Sequence, residues 1–173
     1  YLGEDIQKTV DVKKVVDTLL HKGMCGIANG QAEFGPRALG NRSLLADPRT
    51  LRMKDLVNTV KKRQKFRPFA PAILEEHCQD YFRMPPDSRY MSFVYDCKRP
   101  DEIPACVHVD NTARVQTVPT WSSSILREIL ECWYERTGCP VLLNTSLNIR
   151  GMPIVNTWQD AEQFSEKYDV EVF

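Results

Sequence analysis

Val10, Val12, Val15, Val16, Leu19 and Leu20 recur at helical spacing, and His21-Lys22-Gly23 closes that stretch with cations and a stop. An apolar run over residues 24–28 follows and reads as a buried strand. Residues 51–60 regain the helical period, with Leu56, Val57 and Val60 as the apolar stripe. Residues 66–74 are extended by necessity, because Pro68 and Pro71 exclude a helix interior and restrict Arg67 and Ala70 before them. A short helix over 75–82 and an alternating, half-buried strand over 91–95 come next. Residues 107–109 and 113–118 read as two strands, or one strand broken at Asn111. The strongest helix spans 121–136, capped by one of Ser122, Ser123 or Ser124, with Ile125, Ile129, Leu130 and Trp133 as its stripe and Gly138 as its stop. A compact apolar strand over 140–144, a helix over 158–167 and an edge strand over 170–173 complete the pattern. Strands and helices interleave without strict alternation, which predicts an α/β (α+β) fold, a mixed sheet with helices packed around it.

Length changes that picture little: 173 residues make one domain of ordinary size, 1–173. Charge changes it more. Lysine plus arginine equals aspartate plus glutamate at 23 each, so no global field attracts nucleic acid or an anionic membrane, and any basic site is local. No apolar run approaches the roughly 20 residues of a membrane span, and no signal peptide opens the chain. The six cysteines include no C-x-x-C pair, so buried reduced thiols in a cytoplasmic protein account for them better than zinc does. The chain opens at Tyr1 and reads as a piece of something longer.

Both familiar phosphate loops, G-x-x-x-x-G-K-[ST] and G-x-G-x-x-G, are missing, so any phosphate must be held by arginines and hydroxyls. Four clusters qualify. Arg37 and Arg42 sit in the turn Glu33-Phe34-Gly35-Pro36-Arg37-Ala38-Leu39-Gly40-Asn41-Arg42-Ser43, where glycine and proline set the path and arginine offers planar donors. They are equally readable as surface arginines lying over apolar neighbours. Lys61, Lys62, Arg63, Lys65 and Arg67 form a cationic run that would ordinarily be a solvated face. Arg67 stands apart, pinned by Pro68 beside Phe66 and Phe69 and so pre-oriented for an anion. In a continuous strand, His108, Asp110, Thr112, Arg114 and Gln116 share one face, which either faces water or builds a site. Finally, an apolar strand ends in Asn144-Thr145-Ser146-Leu147-Asn148-Ile149-Arg150-Gly151, an array that can donate to phosphate or merely stabilise a turn. With three histidines far apart, a two-histidine metal site is not expected.

Taken together and in order, residues 30–48, 66–72, 108–116, 140–151 and 153–155 resemble the C-terminal domain of the NodU/CmcH O-carbamoyltransferase family, across residues 23–161. The resemblance implies a YrdC-like domain with a twisted, largely parallel sheet. It implies binding of ATP, with Mg²⁺ on the nucleotide, and of carbamoyl phosphate, and formation of a carbamoyl-adenylate. A separate N-terminal, metal-binding, actin/Hsp70-like domain, absent here, would pass the carbamoyl group to the hydroxyl of a small-molecule acceptor. By the same resemblance Arg37 and Arg42 belong to a phosphate loop, and Lys61 and Arg67 to a clamp on the nucleotide phosphates. Arg114 adds a third arginine, Asn144 and Ser146 meet the nucleotide or carbamoyl group, and Arg150 is an outlying contact. The alternative class is a non-catalytic nucleotide- or RNA-binding module of the same fold. Gln64 stands where an acid is expected, Asn111 where a glycine is usual and Leu147 where an aromatic is usual.

Overall fold

The computed structural model describes residues 4–33, 35 and 37–173. Helix α1, Val12–Lys22, starts where the Asp11 carboxylate accepts from the Lys14 N–H and ends at Gly23, whose φ of 83° continues the chain into β1, Met24–Ala28. A long loop leads to β2, Arg42–Ala46, and then α2, Leu51–Val60, closes this half. Then come β3, Ala70–Leu74, a short 3₁₀ turn, the one-turn α3, Cys78–Tyr81, and β4, Val94–Asp96. The chain ends with β5, Thr112–Arg114, β6, Gln116–Val118, α4, Ile125–Thr137, β7, Val141–Ser146, and α5, Trp158–Tyr168.

Five strands form one sheet in the order β1-β2-β7-β3-β6. Three of its four pairings are antiparallel, and β3–β6 alone is parallel. This corrects the largely parallel sheet expected above: the loop after β1 returns the chain antiparallel as β2, with no crossover helix between them. Pro71 sits opposite Leu143 of β7, and pairing with β6 begins only at Ala72. Its missing N–H therefore costs no ladder bond. Residues 170–173 add to β1, Gly26 and Ala28 donating to the carbonyls of Glu171 and Phe173 at 2.8 Å each.

β1, β2 and β3 are buried at every position because helices cover both faces. Cys25, Ile27, Leu45 and Leu142 pack with α1 and α4, whereas Met24, Ala28, Leu44 and Leu143 pack with α2 and α5. Met53 rather than Leu56 completes the stripe of α2, since Leu56 turns outward. Residues 107–111 make a turn instead of a strand, with Asn111 at φ 61° donating its N–H to the His108 carbonyl. The continuous polar face expected from His108 to Gln116 therefore does not exist: His108 and Asp110 are occupied with the Thr112 hydroxyl, at 3.1 and 2.7 Å.

Candidate functional site

The ends of β5 and β7, the start of β3 and the β1–β2 loop meet around a cleft of about 120 Å³. Arg37, Arg63 and Arg114 line it together with Asn144, Thr145 and Ser146 and with the apolar Phe69, Ala70 and Met91. No carboxylate lies among the described lining residues. Burial first, and then the like charges of Arg37 and Arg63, hold the pKa of Arg114 below the ordinary arginine value. Burial and neighbouring Arg67 do the same to Arg63. A guanidinium does not deprotonate, so these shifts express chiefly the cost of burying charge and, after it, the repulsion among neighbouring arginines. The Arg114 Nε is buried and has no partner.

The loop that carries Arg37 is held from several sides. One Glu33 carboxylate oxygen accepts from the N–H groups of Leu39 and Asn41, at 2.8 and 2.6 Å. The Gln116 amide donates to the Leu39 carbonyl at 3.0 Å, and the Asn144 amide donates to the Ala38 carbonyl at 3.1 Å. Gly40 lies at φ 138°, and a Cβ there would meet the Leu126 Cβ at 2.9 Å, so only glycine lets the loop rest on α4.

Of the residues singled out in the sequence, Arg37, Arg114, Asn144 and Ser146 converge on the cleft. Lys61 lies beneath it. Fully buried at the end of α2, its ammonium donates to the Ser146 carbonyl, to the Ser146 hydroxyl at 3.3 Å, and to the carbonyl and side-chain oxygen of Asn148 at 2.9 Å each. Burial, with the charge of Arg63 adding, pushes its pKa down to about 7. Lys61 thus supports the end of β7 and does not line the cleft. Arg67 is exposed beside Arg63, outside the cleft lining.

Arg42 does not reach the cleft. It is fully buried, and its Nη atoms donate to the carbonyls of Asn29, Gly30 and Asn41 at 3.1, 3.0 and 2.9 Å and to that of Glu4 at 2.7 Å. Its Nη donors are spent on the β1–β2 loop and the N-terminal segment, and its buried Nε has no partner. Arg150 is exposed, and its backbone N–H donates to the Lys61 carbonyl at 2.9 Å, away from the cleft lining. Phe34 and Pro36 of the loop lie outside the described residues.

Sequence reasoning missed Arg63, which nothing in the cationic run separates from Lys62 or Lys65. It also missed Met91, at φ 56° in the cleft lining, and the positioning work of Glu33. A carboxylate at the mouth of a Gly/Pro turn is a signal that could have found Glu33. A larger groove of about 460 Å³, between residues 148–156 and α5, is mostly apolar and holds none of the three cleft arginines. Among the described residues no helix is long and apolar enough to cross a membrane.

The family model for the carbamoyltransferase C-terminus matches residues 16–173. Nodulation protein NolO of Bradyrhizobium diazoefficiens is 42% identical over 164 residues, covering 91% of this chain and 30% of that protein. Nodulation protein U of Sinorhizobium fredii is 43% identical over 125 residues, covering 71% of this chain and 22% of that protein. The chain therefore spans less than a third of the length of these curated relatives. In fold, the chain is similar to full-length HypF crystallised in its phosphate- and nucleotide-bound form, with a TM-score of 0.67 at 18% identity, covering 96% of this chain and 25% of that one. HypF of T. kodakarensis is similar at a TM-score of 0.61 and 16% identity.

Proposed function

This chain belongs to the carbamoyltransferase C-terminal family, and on that premise we propose that its arginine cleft binds carbamoyl phosphate and the phosphates of ATP and promotes formation of a carbamoyl-adenylate. The observation that carries the reading is the convergence of Arg37, Arg63 and Arg114 on one cleft whose described lining has no carboxylate. Carbamoyl phosphate first yields carbamate and phosphate by hydrolysis. A carbamate oxygen then attacks the α-phosphorus of ATP, the bond to the β,γ unit breaks, and pyrophosphate leaves. Charge builds on phosphoryl oxygens and on the leaving group, so fixed guanidinium donors serve this chemistry without a histidine base. Mg²⁺ would arrive on the nucleotide, since the described lining offers it no carboxylate. A cleft of about 120 Å³ suits a phosphate or carbamoyl group. Pockets that enclose drug-sized ligands run to about 300–1,000 Å³, so the adenosine would lie outside it.

Transfer to the acceptor hydroxyl belongs, in this reading, to a further part of a longer protein, and the chain alone delivers no carbamoyl group to an acceptor. Titration calorimetry with ATP and Mg²⁺, on wild type and on Arg114→Ala, tests the site. Loss of one charge-assisted contact weakens binding by roughly 10- to 100-fold. No heat from wild type at millimolar ATP overturns the proposal. Carbamoyl-phosphate-dependent exchange of labelled pyrophosphate into ATP tests the adenylate step, and ATP binding without exchange removes it.

A further inference from the structure

Residues 4–8, ahead of α1, form a bridge between two distant stretches of chain. On one side they fasten the base of the loop that carries Arg37. The Ile6 N–H donates to the Gly30 carbonyl at 3.1 Å, and the Gly30 N–H donates back to the Ile6 carbonyl at 2.8 Å. The Asn29 amide donates to the Lys8 carbonyl at 2.6 Å, and Arg42 donates to the Glu4 carbonyl at 2.7 Å. On the other side they fasten the stretch that runs from β7 into α5. The Glu4 N–H donates to the Asn156 carbonyl at 3.2 Å, and the Glu4 carboxylate accepts from the Trp158 N–H at 2.7 Å. The Lys8 ammonium lies 3.1 Å from the centre of the Trp158 ring. Both fastened stretches lead to the cleft, the first through Arg37 and the second back through Ser146 at the end of β7.

Ile6 anchors the bridge. It is 4% exposed and packs in the same apolar cluster as Ala28, Leu147 and Val155, whereas Glu4, Asp5, Gln7 and Lys8 are exposed. One buried side chain is a light hold, so this segment belongs to the low-stability end of the fold, where local opening is easiest. Its release removes the Gly30 pairing and one partner of Arg42, whose other partners are the carbonyls of Asn29 and Gly30 at the start of the loop and of Asn41 at its end. A loop loosened at its base samples more arrangements, and only some of them present Arg37 to an anion. Resting on the reading of the cleft given above, we infer that residues 4–8, anchored by Ile6, are a positioning element for the Arg37 loop, so that docking of this segment and anion binding in the cleft reinforce each other. The coupling is reciprocal: the factor by which docking raises anion affinity is the factor by which the anion favours docking. A partner that draws residues 4–8 away lowers anion affinity without touching the cleft.

Hydrogen exchange of wild type, read by NMR at the Ile6 and Gly30 amides with and without saturating inorganic phosphate, tests the coupling. Exchange at both should slow by roughly fivefold or more, beyond any change at the Lys98 amide, which bonds to the Tyr81 carbonyl in another part of the fold. In titration calorimetry, Ile6→Ala should bind phosphate more weakly by a similar factor, and Ile6→Val should restore it. Arg127→Met, destabilised elsewhere in the fold, should bind phosphate as wild type does, which separates lost positioning from lost stability. Equal phosphate affinity in Arg127→Met and a weakened Ile6→Ala supports the role, and equal weakening in both overturns it. Exchange at Ile6 and Gly30 that bound phosphate leaves unchanged also overturns it, with the anion cleft intact. A wild type that binds no phosphate overturns the cleft itself. Because the exchange measurement needs wild type alone, a variant that fails to fold does not blunt the test.

Discussion

Arg127 and Arg114 carry the same side chain into the protein, and their surroundings treat it in opposite ways. Arg127, buried in the first turn of α4, forks onto Glu76 at 2.6 and 2.9 Å, reaches Glu131 at 2.7 Å and donates to the Val118 carbonyl at 3.0 Å. Its pKa is raised, chiefly by the bond to Glu76. Arg114, half-buried, faces two other arginines with its Nε unpartnered, and its pKa is lowered. One arginine stabilises the fold, and the other, in the proposed site, is left to meet charge from outside. Arg42 shares a lowered pKa and an unpartnered, buried Nε with Arg114, but its Nη atoms are taken by carbonyls inside the fold.

Substitutions break the comparison in order of size. Arg42→Met strands the carbonyls of Glu4, Asn29, Gly30 and Asn41, and unfolding in denaturant should show a loss of about 3 kcal/mol or more. Arg127→Met should cost about 2 kcal/mol in the same assay, less because Glu76 retains 38% side-chain exposure and is rehydrated. Arg127→Met should leave anion affinity unchanged in the protein that remains folded, because none of its partners lines the cleft. Arg114→Ala inverts the outcome: phosphate affinity falls while stability stays within about 0.5 kcal/mol or rises, since like charges are separated. A large loss of stability in Arg114→Ala would erase the distinction between the two arginines.

Lys61 sharpens the contrast through pH. Its folded pKa lies near 7 against an ordinary 10.5, so between those values the unfolded chain binds more protons. Stability should therefore rise as pH climbs from about 7 towards about 10, and denaturant titrations of Lys61→Met should show that rise flattened. The smallest effect belongs to the exposed pair of Arg136 and Asp17, at 3.0 Å. Asp17→Asn should shift stability by no more than about 0.5 kcal/mol, which marks an arginine that neither the fold nor the cleft depends on.

Helices and strands were legible wherever one face alternates with another. α1 and α4 show their stripes and stops in the sequence, and of the three serines offered as the cap of α4 it is Ser124 that accepts from the Arg127 N–H. The direction of pairing was not legible, because a buried five-residue strand looks alike in parallel and antiparallel neighbours. The same limit applies to the arginines. Arg37 and Arg42 share one turn, yet one reaches the cleft and the other is spent on carbonyls from residues 4, 29, 30 and 41. Local spacing states the residue type, and distant chain decides whether its donors are already taken. Arg63 was hidden for the same reason: its role depends on β5 bringing Arg114 beside it, about 50 residues later in the chain.

Glu33 carries a kinetic consequence. By accepting from the N–H groups of Leu39 and Asn41, it fixes the stretch that follows Arg37 before any ligand arrives. A pre-ordered site has no closing step to wait for, so anions should enter at rates set by diffusion and charge attraction, falling as salt is added. Differences in affinity among ligands then reside in how long each one stays.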